Sequence, residues 1–315
     1  MDIRQLRYFV EIVELGSLSR AAQRLNVAQP ALSIHLRNME AETGTPLLLR
    51  GRSGVTPTEA GEILLRAARS ILNEQAAALD DIRSLGREPS GEVRIGLPGT
   101  IGDVLALPLI EAAAARYPQV RVTLSEGMSG FVADWLREGR VDLAVLYTLP
   151  EDPALSALPL LEEELVAVAA PRHLRAPQVD FADLARMPLI LPSRQHGLRV
   201  MLDGALARQG LRLEPKVEVD SYNTIKALLL RAAGVSILPR HTVARERIAG
   251  SLELRPFAPP GLSRRAHLVW RGSRTVPRHV QAIRTLLDET VRRLVAGMQW
   301  PGATLLPKAP GGRGD

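Results

Sequence analysis

Through the first quarter of the chain apolar residues recur at intervals of three and four, the mark of helices with one buried side. Leu6, Phe9, Val10 and Val13 give the first helix its stripe; Asp2 and Gln5 are spaced for a capping box, and Gly16 ends it. Ser17 can cap a second, short helix whose Ala21, Ala22 and Leu25 face inward. Asn26 and Val27 make a tight turn. Pro30 then suits the first turn of a third helix, where its missing N–H costs nothing. Leu32, Leu36 and Met39 form the buried side of that helix, which leaves Gln29, Ser33, Ile34 and Arg37 facing outward. A small hairpin follows, with the apolar run Leu47–Leu49 and Val55 flanking the basic tip Arg50-Gly51-Arg52-Ser53-Gly54. Thr58 caps a long helix to about Ser84, with Leu64, Ala67, Ala68, Ile71, Ala78, Ile82 and Leu85 near helical spacing and Gln75 interrupting them. Gly86 to Gly91, with Pro89 and Ser90, forms a hinge.

Beyond Gly91 short apolar runs alternate with helical spacing. Strands are expected at Val93–Leu97, Val120–Ser125 and Leu143–Tyr147, with helices at Asp103–Arg116 and Phe131–Glu138, a doubly wound α/β unit. A second unit runs through Leu165–Ala169, Leu189–Leu191, Leu198–Gln209, Val217–Val219, Thr224–Ala233 and Val235–Leu238. The strand Arg265–Trp270 and the helix Val280–Val295 return to the first. From Gly297 the chain is rich in Pro and Gly and is expected to be disordered. Two α/β lobes joined by crossovers hold ligands in the cleft at the C-terminal ends of their strands.

Composition narrows the functional classes. A length of 315 residues suits two domains or more. The absence of cysteine excludes disulfides, thiol catalysis and cysteine metal sites. MDIRQLRYF lacks the apolar core of a signal peptide and no apolar run approaches spanning length, so a cytoplasmic protein without membrane contact is expected. The net charge of +6 favours an acidic partner, yet residues 1–65 hold seven arginines and seven acids and are neutral overall. Any case for nucleic acid therefore rests on placement: Arg37, Arg50 and Arg52 fall on the third helix and the hairpin.

Two close-packed helices, the second with a polar outer face, make a helix-turn-helix, and the hairpin after them is a wing able to reach phosphates. An ordinary helical hairpin is the bland alternative; the combination of turn, polar face and basic wing is what favours double-stranded DNA. The stretch AAQRLNVAQPALSIHLRNMEAETGTPLLLR followed by GVTPTEAG resembles the LysR-type transcriptional regulators. Within that family MDIRQLRYFVEIVELGSLSRAAQ and GVTPTEAG look most like the nitrogen assimilation control branch. The resemblance implies a winged helix-turn-helix over residues 1–58, a linker and dimerisation helix with hinge over 59–88, and a two-lobed, periplasmic-binding-protein-like α/β effector domain over 92–300. Lobe 1 would cover about 92–162 and 266–300, lobe 2 about 163–265, and 301–315 would be a disordered tail. Gln29, Pro30, Ser33 and Ile34 would then meet the major groove, and Arg37, Arg50 and Arg52 the phosphates. His35 departs from the polar residue, often glutamine, that the family carries there; facing a base edge, it would alter base preference or make binding depend on pH. Leu64, Ala68 and Ile71 would line a seam between two copies, the alternative being a helix docked on its own chain. The resemblance further implies homodimers paired into homotetramers on an interrupted palindrome, with RNA polymerase as a partner if the protein activates. It also implies a small, anionic effector in the cleft or, as the alternative for regulators close to this branch, no effector at all.

The sharpest local signal in the second half is Gly96-Leu97-Pro98-Gly99-Thr100-Ile101-Gly102, where a strand hands over to a helix whose N–H groups can bind an anion. Glu126, at the end of the next strand, resembles the acid of a dinucleotide site, but G-x-x-G-x-x-G is not the G-x-G-x-x-G spacing. Three readings therefore stand: an effector pocket, a dinucleotide enzyme, or a structural turn. Met128, Ser129 and Tyr147 follow other strands as pocket candidates. In the second lobe Ser193, Arg194, His196 and Arg199 precede or open a helix, and either arginine can pair with an anionic effector. Ser193 and His196 lack the flanking elbow and orienting acid of a hydrolase. The histidines at 35, 173, 196, 241, 267 and 279 lack metal-ligand spacing, so no catalytic residue, metal or cofactor is called for. A plain solute-binding protein would leave the first 88 residues unexplained and would normally carry a secretion signal.

Overall fold

The computed structural model describes residues 1–51, 54–83, 88–174, 176–207, 210–272 and 276–307. Arg52 and Ser53 of the hairpin tip, Ser84, Leu85 and the start of the expected hinge, and residues 308–315 lie outside the described residues. The chain divides into two compact units, the first built mainly from residues 1–88.

The first unit contains α1 (Ile3–Leu15), α2 (Leu18–Leu25), α3 (Gln29–Thr43), the hairpin β1 (Leu48–Gly51) and β2 (Gly54–Pro57), and α4 (Glu59–Arg83). The caps are those the sequence suggests. Asp2 Oδ1 accepts the Gln5 N–H and Gln5 Oε1 accepts the Asp2 N–H, both at 2.8 Å. Ser17 accepts the Arg20 N–H at 3.4 Å, and Asn26, with φ 54°, closes α2. Phe9, Ile12, Ala21, Leu32, Leu36, Met39, Leu47 and Ala68 form one buried core. The hairpin is fixed at both ends. Glu40 Oε1 accepts the Leu47 and Leu48 N–H groups at 2.9 and 3.4 Å, and the Val55 N–H donates to Gly16 O at 3.0 Å. Gly54, at φ +116°, lies so close that a Cβ there would come 2.6 Å from Gly16 O. Gly61 permits a similar approach: its Cβ would stand 2.1 Å from Leu47 O, so α4 can begin against the hairpin.

One expectation for α4 is corrected. Ala68 is fully buried and Leu64 partly buried against the core of their own domain. The side left open carries Ile63, Ala67, Ile71, Leu79 and Ile82. Both stripes are apolar at helical spacing, one residue apart, so periodicity alone cannot assign them.

The second unit begins with β3 (Gly91–Pro98), α5 (Gly99–Arg116), β4 (Val120–Gly127), α6 (Ser129–Arg137), β5 (Leu143–Leu146) and β6 (Leu155–Ala169). It continues with α7 (Phe181–Leu184), β7 (Ile190–Leu191), α8 (Gly197–Ala207), β8 (Val217–Glu218), α9 (Tyr222–Leu230) and β9 (Val235–Pro239). A 3-10 turn (Arg240–Val243), α10 (Ala244–Ile248), β10 (Glu253–Pro256), β11 (Ser263–Arg271), α11 (Arg278–Ala296) and β12 (Ala303–Leu305) complete it. β4, β3 and β5 lie parallel, and β11 runs antiparallel between β5 and β6. β6 belongs to both lobes: up to Glu164 it pairs with β11, and from Leu165 onward with β9 and β10. Side-chain alternation along its second half feeds two cores, Leu165, Ala167 and Ala169 on one face and Val166 and Val168 on the other. All four residues of β5 are buried, as a strand covered on both faces requires. Among the described residues no helix is long and apolar enough to cross a membrane.

Two further expectations are corrected here. β6 starts at Leu155, ten residues before the strand read from the sequence. The Pro- and Gly-rich end is ordered as far as it is described: Trp300 is buried, β12 pairs with β6, and the Glu164 N–H donates to Gly302 O at 2.7 Å. Composition suggested disorder because one large aromatic anchor and three ladder residues weigh little in a count of Pro and Gly.

Candidate functional site

The outer face of α3 carries Gln29, Pro30 and Arg37, all exposed, with Ile34 49 % exposed and Ser33 half-buried. Gln29 is held in place: the Ser19 hydroxyl at the start of α2 donates to its Oε1 at 3.2 Å, a contact that the sequence reading did not foresee. Arg50 is exposed on the adjoining wing. His35 is turned elsewhere. It meets the Tyr8 ring of α1 edge-on at 5.2 Å and its Nδ1 is buried without a hydrogen-bond partner, so it packs on α1 and does not face a base edge.

In the second unit a cavity of about 370 Å³ opens between the lobes. Pro98, Gly99, Thr100, Met128, Ser129, Tyr147 and His196, all expected, line it, together with Asp103, Glu126, Asp220, Tyr222 and Arg264, which were not in the expected set. Ile101, Ser193 and Arg194 are not among its lining residues. Ile101 is buried in the lobe, the Ser193 N–H donates to Asp220 Oδ1 at 2.9 Å, and Arg194 is exposed. Arg199 is buried and braces its own lobe through Asp203 and Glu218, each at 2.9 Å. It is not an effector contact.

Behind the cavity lies a buried polar cluster centred on Arg264 of β11. Its Nε donates to Glu163 Oε1 at 2.6 Å, and its Nη2 to Tyr147 Oη at 2.8 Å and Thr100 Oγ1 at 3.1 Å. Tyr147 donates in turn to Glu163 Oε1 at 2.9 Å, and the guanidinium lies 3.6 Å over the Tyr147 ring. Burial, the largest single influence, works to lower the pKa of Arg264, but Glu163, Tyr147 and Tyr222 together outweigh it and raise the value, so the cation is permanent. Burial, supported by Glu163 and opposed by Arg264, holds the Tyr147 phenol well above its ordinary value. His241, on the 3-10 turn, reaches across to lobe 1 with its Nε2 2.8 Å from Thr100 O. A neutral ring donating there turns its Nδ1 lone pair toward Glu163 Oε2, 3.5 Å away. The Trp300 ring closes over His241 edge-on at 5.6 Å.

His196 contributes no charge to the cavity. Its Nδ1 accepts the Leu198 N–H at 3.1 Å and its Nε2 faces Tyr222 Oη at 3.4 Å, which fixes a neutral tautomer. Burial, and secondarily Arg264, lowers its pKa from 6.5 to about 4. A folded-state pKa below the unfolded one means that protons are taken up on unfolding. The stability linked to this ring is therefore complete above pH 6.5 and is lost as pH falls toward about 4. His196→Gln should flatten the decline of melting temperature across that window. Parallel curves for the two proteins would contradict the assignment.

The charge inside the cavity runs against an anionic effector. Asp103, Glu126 and Asp220 are carboxylates on its wall, and Arg264 is already neutralised by Glu163. The start of α5, read from the sequence as an anion site, has a carboxylate of the protein beside it: a Cβ at Gly102 would come 2.1 Å from Glu126 Oε1.

Comparison with known proteins agrees with both halves of this arrangement. Residues 3–62 match the "Bacterial regulatory helix-turn-helix protein, lysR family" and residues 86–292 the "LysR substrate binding domain". The chain is 33 % identical to the nitrogen assimilation regulatory protein nac of Klebsiella aerogenes, over 93 % of this chain and 96 % of that protein. With the Escherichia coli K12 protein of the same name it shares 36 % identity over 76 % of this chain and 78 % of the other. Among solved structures, a full-length OxyR variant from Pseudomonas aeruginosa superimposes with a TM-score of 0.76 at 26 % identity, covering 93 % of this chain and 95 % of that one. These relatives are transcription regulators, which decides against the dinucleotide enzyme. The chain belongs to the LysR family, as a DNA-binding transcription regulator with an effector-binding domain.

Proposed function

We propose that this regulator acts in the cytoplasm as a homo-oligomer on an interrupted palindrome, with a small molecule in the interlobe cleft shifting how its paired subunits engage DNA. The observation that carries the DNA reading is α3: Leu32, Leu36 and Met39 are buried while Gln29, Ile34 and Arg37 stand exposed. That is the disposition of a recognition helix, with base readers on the outer face and phosphate contacts beside them. Gln29, Pro30, Ser33 and Ile34 would meet base edges, and Arg37, Arg50 and Arg52 phosphates. The similarity to nitrogen assimilation regulators supports a place in that branch. RNA polymerase would be a partner if the outcome is activation. Selection of bound fragments from a genomic DNA library tests the reading. It predicts enrichment of sites with two inverted half-sites, and no enrichment over random fragments would contradict it.

The open side of α4 carries the proposal for assembly. Ile63, Ile71, Leu79 and Ile82 are between 43 and 66 % exposed, an apolar stripe that a second α4 would cover. Ile63→Asp with Ile71→Asp should give folded monomers with weaker binding to paired half-sites, because the second half-site then no longer gains from tethering. Leu64→Asp should instead unfold the winged domain, since Leu64 packs on its core. Light scattering that shows unchanged oligomers for the double variant would move the seam elsewhere.

A further inference from the structure

We propose that the ligand of the interlobe cleft is a small organic cation, a protonated amine or guanidinium, held by Asp103, Glu126 and Asp220. The inference rests on reading the cleft as the effector site and assigns the ligand its chemistry. Three observations converge on it.

The first is the balance of charge. Asp103 and Glu126 come from lobe 1, on α5 and β4, and Asp220 from lobe 2, just before α9. All three carboxylate residues are exposed at the cavity. Asp220 already accepts the Ser193 N–H through one oxygen, which leaves its charge uncompensated. The cation at the cavity wall, Arg264, is bound to Glu163 at 2.6 Å and stacked on Tyr147, so it offers no net charge to a ligand. His196 is neutral by its hydrogen bonds.

The second is that Thr100, Arg264 and His241, which could otherwise receive an anion, are already engaged. The Thr100 hydroxyl lies 3.1 Å from both Tyr147 Oη and Arg264 Nη2, and the Thr100 carbonyl faces His241 Nε2. The Glu126 carboxylate stands beside Gly102 in the first turn of α5, close enough that a Cβ there would come 2.1 Å from its Oε1. A ligand anion at that turn would be repelled by an anion that the protein supplies itself.

The third is placement. Carboxylates from both lobes face one cavity of about 370 Å³, within the range of small-molecule sites. A cation bound between them is attracted to both lobes at once, and near protein that attraction is several-fold stronger than in bulk water. Such a ligand would draw the lobes together, which gives it a differential affinity for a closed arrangement and hence a means of regulation.

Calorimetric titration of the full-length protein with 1,4-diaminobutane, agmatine, butane-1,4-diol and succinate tests the assignment. One or both amines should bind, more weakly at higher salt, and neither the diol nor succinate should. Asp103→Asn and Glu126→Gln should each weaken amine binding roughly tenfold or more, the loss expected for a charge-assisted contact. Both substitutions are at exposed positions, and melting temperature without ligand verifies folding. Ser129→Trp, which fills the cavity, should abolish amine binding. Succinate binding that Ser129→Trp abolishes would keep the cleft as the effector site and overturn the cation. Amine binding untouched by all three variants would place the amine elsewhere and overturn both readings. No binding by either amine at millimolar concentration would overturn the cation assignment.

Discussion

Arg264→Ala should cost the effector unit about 3–5 kcal/mol, because it leaves the Glu163 carboxylate buried without its counter-ion. Glu163 is 1 % exposed and Arg264 6 %, so water cannot replace the lost partner. The same substitution removes donors to Thr100 and Tyr147 and the cation over the Tyr147 ring. The effect comes from an orphaned charge more than from a lost attraction. The double variant Glu163→Gln with Arg264→Met should therefore be closer to the natural protein than Arg264→Ala alone. Urea denaturation of the full chain checks this. A single variant within about 1 kcal/mol of the natural protein would show that the pair is not desolvated as described.

Trp300→Ala should be comparably damaging, on the order of 3–5 kcal/mol for a large aromatic removed from a packed site. Trp300 is 1 % exposed and covers His241, whose ring bridges the lobes through Thr100. Loss of the indole would admit water beside Glu163 and His241 and relieve the burial that holds the His241 pKa down. The penalty should therefore shrink in acid, where the natural chain loses stability through this ring and the variant loses less. Burial, against the pull of Glu163, lowers the His241 pKa, and stability tied to it is therefore lost as pH falls. Denaturation at neutral and mildly acid pH reads both effects. A variant as stable as the natural chain would mean that the terminal segment merely rests on the surface.

The winged domain was legible in the sequence because its helices announce themselves locally. Caps at Asp2, Ser17 and Thr58, and the stripe Leu32, Leu36 and Met39, are set by neighbours three or four residues away. What escaped depends on partners far along the chain. The first half of β6 ends in Glu162, Glu163 and Glu164, and the strand expected from the sequence begins only after them, at Leu165. In the structure Arg265 stands opposite Glu162 and Arg264 opposite Glu163, so β11 compensates the charges across the ladder. An acidic run facing a basic run a hundred residues later was the one available signal, and it only has meaning once the strands are paired. For the same reason Glu163 and Arg264 were missed while Thr100 and Tyr147 were found at the ends of recognisable strands. Arg194 was favoured because it sits in a loop before a helix, yet that loop turns it to solvent. His35 was weighed as a base contact only because the family carries a polar residue there, and Tyr8 of α1 supplies a ring for it to pack on instead.

Specific DNA recognition through α3 is the central claim, and its most direct test is affinity for a selected site against a scrambled one, measured over a range of salt. Gln29→Ala or Ser33→Ala should narrow the gap between the two DNAs by about 1–3 kcal/mol, the value of a lost base contact. Arg50→Ala should weaken both alike and reduce the salt slope by about one unit, as a lost phosphate contact does. Folded Gln29→Ala and Ser33→Ala proteins that keep full discrimination between the two DNAs would contradict the account.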